Sequence, residues 1–405
     1  MLVAEGYKQT EVGVIPEDWQ IRPVEEIAKV IDSLHATPKF SNDGYPMVRV
    51  TDIKVGNLNL DNALKVSANV FKDFTRNYLP RCGNIVLSRV GSYGVSSFVE
   101  TSEPFCMGQN TVVIESKIPS KFLYCALNSK YIRKAIEDGS FGSGYKSLSL
   151  RNIKDLKVLI PPTKAEQEAI AEALSDADSL IESLQQLIAK KRQIKQGAMQ
   201  ELLQPKDDWV EKSLGELGVF AKGSGVKKDQ AASGDLACIR YGEIYTVHND
   251  VVRHFVSKVS AEVAKTATRL KQGDLLFAGS GETKAEIGKC VAFIHDIEAY
   301  AGGDIVILRP VNCCSTFMGY YLNTRTIQLQ KASKGQGDAV VHISASALSA
   351  ITLYIPQTIE EQTRIATILS DMDSEITALE TKLTKAQQIK QGVMSELLTG
   401  KTRLV

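Results

Sequence analysis

The residues most suggestive of chemistry lie at 274–289, DLLFAGSGETKAEIGK. Asp274, Phe277, Gly279 and Gly281 approximate the turn in which glycines let a backbone approach S-adenosylmethionine, as a methyl transfer would need. The companion [DNS]-P-P-[YF] signature is missing, because Ile160-Pro161-Pro162-Thr163 reads as the start of a helix. Asp274 with Glu282-Thr283-Lys284 has the composition of a D…E-x-K nuclease centre, in which two carboxylates hold Mg²⁺. GSGETKAEIGK is no phosphate cradle, since six residues rather than four separate Gly281 from Gly288 and Cys290 replaces the Ser/Thr. His35, His248, His254, His295 and His342 form no H-x-x-x-H pair, and the seven cysteines contain no C-x-x-C. No complete catalytic or metal site emerges. A methyltransferase or nuclease using the 274–284 loop stands as the alternative to a non-catalytic chain.

What positions these residues is a larger pattern. The chain has 405 residues, enough for two or three domains. With 48 Lys+Arg against 47 Asp+Glu its net charge is +1, so any grip on a polyanion must be local or shared with a partner. It shows no apolar run of membrane-spanning length and no leader-like start, and its unpaired, scattered cysteines suit a reducing compartment. A cytoplasmic protein with no membrane partner is expected.

Residues 160–206 and 355–401 align without a gap and are identical at 25 of 47 positions. Asp18-Trp19 and Asp208-Trp209 open the two halves, and FLYCALN (122–128) echoes FMGYYLN (317–323). The chain is a tandem duplication. Each repeat reads as a long helix. Apolar side chains recur at Ile170, Leu174, Ala177, Ile181, Leu184 and Ile188, and at Ile365, Leu369, Met372, Ile376, Leu379 and Leu383, a narrow seam. Thr163 with Glu166 and Thr358 with Glu361 predict capping boxes. Acidic residues crowd the first half of each helix and basic ones the second, so antiparallel packing sets acid against base.

The expected architecture is therefore α+β: two globular recognition domains separated by an intramolecular antiparallel coiled coil, related by a pseudo-two-fold axis. The boundaries are 1–159 for the first domain, 160–206 for the first helix, 207–354 for the second domain and 355–405 for the second helix and tail. Short β-rich runs are expected at YPMVRVTDI, NIVLSRVG, NTVVIES and LKVLIP, and at LACIRYGEI, DLLFAGSG, DIVILRP and ITLYIP, with helical stretches at 120–137 and 315–331. The Gly-rich tips differ between halves: SRVGSYG against AGSGETK, and DGSFGSGYKS against KASKGQGDAVVH.

Basic, aromatic and hydroxyl residues cluster at those tips, flanked by Ser and Gly that permit close approach to phosphate. Lys54, Arg89, Ser92, Tyr93, Tyr145 and Lys146 in the first half are candidate DNA contacts. Arg240, Tyr241, Ser280, Thr283, Lys284, Gln336 and His342 are their counterparts in the second. Arg89, Arg240 and Gln336 are suited to base edges, because guanidinium and amide groups make bidentate bonds there.

The opening YKQTEVGVIPEDW (7–19), the phrase GNIVLSRVGSYG (83–94) and the twice-used EQ-x-x-I…LSD-x-D…QIKQG-x-M-x-ELL resemble the DNA specificity subunit of Type I restriction-modification systems. The resemblance covers essentially the whole chain. It implies two target recognition domains that each read half of a split, asymmetric sequence in double-stranded DNA, with the helices acting as a spacer. It implies two methyltransferase (modification) subunits docked on those helices, with Lys191, Lys195, Gln196, Met199, Gln391 and Met394 as candidate contacts, and endonuclease/translocase (restriction) subunits beyond them. It further implies no catalysis, metal or cofactor in this chain, with S-adenosylmethionine, ATP and Mg²⁺ held by the partners. AGSGETK departs from the family phrase SRVGS-x-G.

Overall fold

A computed structural model describes residues 5–139, 147–337 and 340–404. Contacts divide the chain into two units, Met1–Leu187 with Glu380–Val405, and Ile188–Leu379. The division passes through the middle of both long helices, Lys164–Leu202 and Ile359–Leu397, rather than at their ends.

Every expected strand is present, and each expected helical stretch is broken into two helices, Ser120–Leu127 with Lys130–Gly139 and Ser315–Tyr321 with Arg325–Lys334. The first unit is built on an antiparallel sheet in the order Ala28–Asp32, Thr111–Ser116, Ile85–Ser88, Ser96–Phe98. A second sheet runs Cys106–Met107, Tyr45–Val48, Leu64–Val66, Phe40–Ser41, and its first two strands are parallel. The second unit repeats the first sheet as Gly218–Lys222, Ile305–Pro310, Leu275–Ala278, Cys290–Ala292. Its other four-stranded sheet again holds one parallel pair, Leu236–Ile239 beside Ala299–Ala301. Ile85–Ser88 and Leu275–Ala278 are buried along their whole length, which is why they read as unbroken apolar runs instead of alternating ones.

The repeated phrases of the long helices acquire separate jobs. Thr163 Oγ1 accepts the Glu166 N–H at 3.1 Å and Thr358 Oγ1 that of Glu361 at 3.3 Å, capping both helix starts. The expected reciprocal half of the first box gives way to another partner: the Glu166 carboxylate is taken by Arg403, which also binds Asp18 at 3.0 Å. In each E-Q pair the buried glutamine, Gln167 or Gln362, donates at 3.0 Å to the carbonyl of Pro161 or Pro356. That bond satisfies a polar group in a place closed to water.

All twelve seam residues are buried or half-buried. Within each unit the two helix segments run antiparallel, and the second aspartate of LSD-x-D meets the lysine of QIKQG. Lys390 pairs with Asp178 in the first unit, and Lys195 with Asp373 at 2.6 Å in the second, where Lys191 also meets Glu375 at 2.7 Å. The two motifs are complementary halves of one ion pair, used twice.

Candidate nucleic-acid interface

In the first unit the loop after Ile85–Ser88 is anchored from below. The Arg89 N–H donates to Asn110 O at 2.9 Å, and the Leu148 N–H donates to Arg89 O at 2.8 Å. Ser147 bridges Val90, so the chain entering at 147 lies along the loop. The Arg89 guanidinium turns inward. Its Nη1 reaches Asp32 Oδ1 at 3.0 Å, its Nε donates to Leu148 O at 3.0 Å, and only 17% of the side chain is exposed. Ser92 is exposed, and Tyr93 packs partly against the core. Lys54 is exposed, with its backbone fixed on Ser97 of the outer strand. Tyr145 and Lys146 lie outside the described residues.

The second unit uses the same frame. The Gly279 N–H donates to Asp304 O at 2.7 Å and the Ile343 N–H to Gly279 O at 3.0 Å, so Gly279 occupies the position of Arg89. Asn110 (φ 62°) and Asp304 (φ 61°) share the same left-handed turn. Here Ser280–Gly281 pairs antiparallel with Val341–His342, and Gln336 bridges His342. Five expected contacts are thereby brought together. Ser280 Oγ lies 2.9 Å from His342 Nδ1, Gln336 shares two backbone bonds with His342, and Thr283 and Lys284 stand exposed on the same loop. Tyr245, from the helix Tyr241–Thr246, donates to Ser280 O at 3.1 Å. Tyr241 is exposed at the start of that helix.

Arg240 is half-buried and its Nε faces Glu243 at 3.4 Å, while its N–H also donates to that carboxylate. Arg49 repeats the device in the first unit, its Nε 3.1 Å from Asp52. Both follow a strand that pairs in parallel, and both place an acid three residues on. Arg49 was legible as an echo of Arg240 yet absent from the expected contacts. Asp32 and Tyr245, which hold the two loops, carry no sequence signal, because each touches a segment remote in the chain.

The expected helix contacts divide. Lys191 and Lys195 are spent on ion pairs inside the chain, and Met199 and Met394 pack partly against the two cores. Gln196 and Gln391 are exposed.

A family model for the Type I restriction modification DNA specificity domain matches residues 16–192 and again 206–391. The chain belongs to that specificity-subunit family. Among its relatives is the putative type I restriction enzyme MjaX specificity subunit of Methanocaldococcus jannaschii, 25% identical over 99% of this chain and 97% of that one. The fold is shared with the S subunit of a Type I restriction-modification system from M. genitalium, with a TM-score of 0.61, 18% identity, and coverage of 94% of this chain and 96% of the other. A second solved chain, described under assembly and conformational transition of the type I R-M system, gives 0.55 at 14% identity over 96% and 99%.

A specificity subunit recognises DNA without catalysis of its own. The 274–284 loop does not bring together the residues of the suggested nuclease centre. Asp274, the would-be metal ligand, is buried at the start of its strand. It accepts the Lys271 N–H at 2.9 Å and faces Arg309 at 3.4 Å. Glu282 and Lys284 leave the other end of that strand, whose four residues span roughly 13 Å. Among the described residues no three His, Cys, Asp or Glu side chains gather as a metal site would need. Ser280 and His342 have the separation of a nucleophile and its base, but Ser280 is 5% exposed and the bond stitches two strands together. No helix among the described residues is long and apolar enough to cross a membrane.

Proposed function

We propose that each unit reads one half of a split, asymmetric DNA target, through the tip of its first sheet and the segment paired to it. The observation that carries this reading is the duplicated frame with diverged tips: the loops at 88–94 and 278–288 are hung on the same backbone bonds yet share few side chains. In the second unit Thr283, Lys284, Gln336, His342 and Tyr241 offer donors and acceptors to bases and phosphates. In the first, Ser92, Tyr93 and the segment containing Tyr145 and Lys146 take that place. Arg89 acts from below, because its guanidinium is committed to Asp32. Phosphate contacts position the units and base contacts select the sequence.

The long helices, continuous through both units, set the gap between half-sites and carry two methyltransferase subunits, whose contacts include Gln196 and Gln391. Restriction subunits join that core in the cytoplasm, and S-adenosylmethionine, ATP and Mg²⁺ reside in the partners. Exchange of residues 208–353 for those of a relative tests the reading. Methylated sites mapped in cells carrying the chimera with its partners should change in one half-target only. A change in both halves would refute independent reading.

A further inference from the structure

Beneath the second unit's loop lies a cation where the first unit has a hydrocarbon. Ile136 is buried under Gly94 (φ +76°), where an added Cβ would fall 2.7 Å from its Cδ1. The matching pair in the second unit is Lys331 under Gly288 (φ +71°), and Lys331 Cδ would lie 3.1 Å from an added Cβ. Lys331 has 0% of its surface exposed, and its Nζ donates to Gly288 O at 2.7 Å. Among the described residues it forms no ion pair. Ile343 lies against the same glycine, its Cγ2 3.5 Å from an added Cβ, and is nearly fully buried. Burial pushes the ammonium down to about 8.

A lysine in such a slot costs stability that an isoleucine does not. What it adds is one directed bond at the point where the loop returns. The Gly288 N–H closes on Ala278 O at 3.2 Å, so the residue held by Lys331 is also the one that seals the loop's base.

We propose that Lys331 is the positioning residue of the second recognition loop, fixing Gly288 so that Thr283 and Lys284 meet DNA in one arrangement. This rests on the DNA-reading role proposed above. Its test uses the full chain bearing Lys331→Met or Lys331→Ile, assembled with its modification subunit in cells, with methylated sites mapped by sequencing. The first half-target should stay as it is. Discrimination at one or more bases of the second should fall about tenfold, the worth of one directed bond to a charged donor. A purely structural role predicts loss of assembly and of both halves together, and that result overturns the proposal. An unchanged second half in both variants does so as well. If the unsubstituted chain yields no two-part motif, the DNA-reading proposal itself fails, and the failures are thereby told apart.

Discussion

The two recognition loops hang from one frame but solve its interior differently. In the first unit Asp32 stands opposite Val112 and receives Arg89. In the second, Lys222 stands opposite Val306 at the matching register, and Gly279 occupies the arginine's position. The first loop is thus braced by a polar strut that neutralises two charges near the tip. The second leaves Lys222 exposed and moves its brace to Lys331 and Tyr245. A duplicated scaffold can diverge in what it reads by relocating its internal supports, with its backbone bonds kept.

The sharpest way to break that comparison is to transplant the strut. Gly279→Arg sets a Cβ 2.8 Å from Asp304 O, where backbone must move, and brings a guanidinium toward Lys222 instead of an aspartate. Backbone strain and charge repulsion together should cost on the order of 4 kcal/mol. Hydrogen exchange should show residues 279–289 losing protection while 88–95 keep theirs. Adding Lys222→Asp should recover part of the loss, and failure to recover any would separate Lys222 from this slot.

The helix ion pairs permit a second, smaller contrast. Lys195 is 13% exposed, lies between Asp373 and Asp250, and has the Tyr320 ring 5.2 Å away. Burial, with the neighbouring Asp373 carboxylate, holds the Tyr320 phenol well above its usual range. Burial likewise raises the Asp250 carboxyl. Lys390 in the first unit faces Asp178, which is 46% exposed. Lys195→Met takes the paired cation from buried Asp250 and leaves Asp373 to Arg253, 3.3 Å away, and should cost about 3 kcal/mol, whereas Lys390→Met should cost about 1 kcal/mol after solvent screening. Urea melts followed unit by unit through hydrogen exchange would show it, and equal losses would mean that surroundings do not set the value of the pair.

Much of this was legible in the sequence for identifiable reasons. The duplication, the helix seam and the antiparallel pairing are written in periodicity and in charge order, both local along the chain. The strands of the two sheets surfaced because burial on both faces makes continuous apolar runs. The cluster at Ser280, Lys284, Gln336 and His342 was half visible, as polar residues on Gly-rich tips. Its supports were not. Asp32, Tyr245 and Lys331 act across 57, 35 and 43 residues of sequence, and Lys331 sits in QLQKASK, where a lysine reads as solvent-facing. Arg89 and Lys195 look like outward contacts in the sequence, because a charge there carries no sign of the partner that waits for it inside.

Lys331 also allows the smallest contrast to be measured by pH. Its folded-state value of about 8 lies below the usual 10.5, so between those values the unfolded chain holds a proton that the folded chain lacks. Stability of the second unit should therefore rise as pH climbs through that window, and at neutral pH the buried ammonium costs on the order of 3 kcal/mol. Lys331→Met removes that cost and forfeits one charged-donor hydrogen bond of about 1.5 kcal/mol, for a net gain of about 1.5 kcal/mol at pH 7. The gain should fade toward pH 10.5, as the lysine itself becomes neutral when folded. Hydrogen exchange of 279–289 and 325–334 at pH 7 and in denaturant melts to pH 10 would follow it. A pH-independent difference between the two chains would place the lysine's charge in contact with water, and the first unit's Ile136 would then no longer be its physical counterpart.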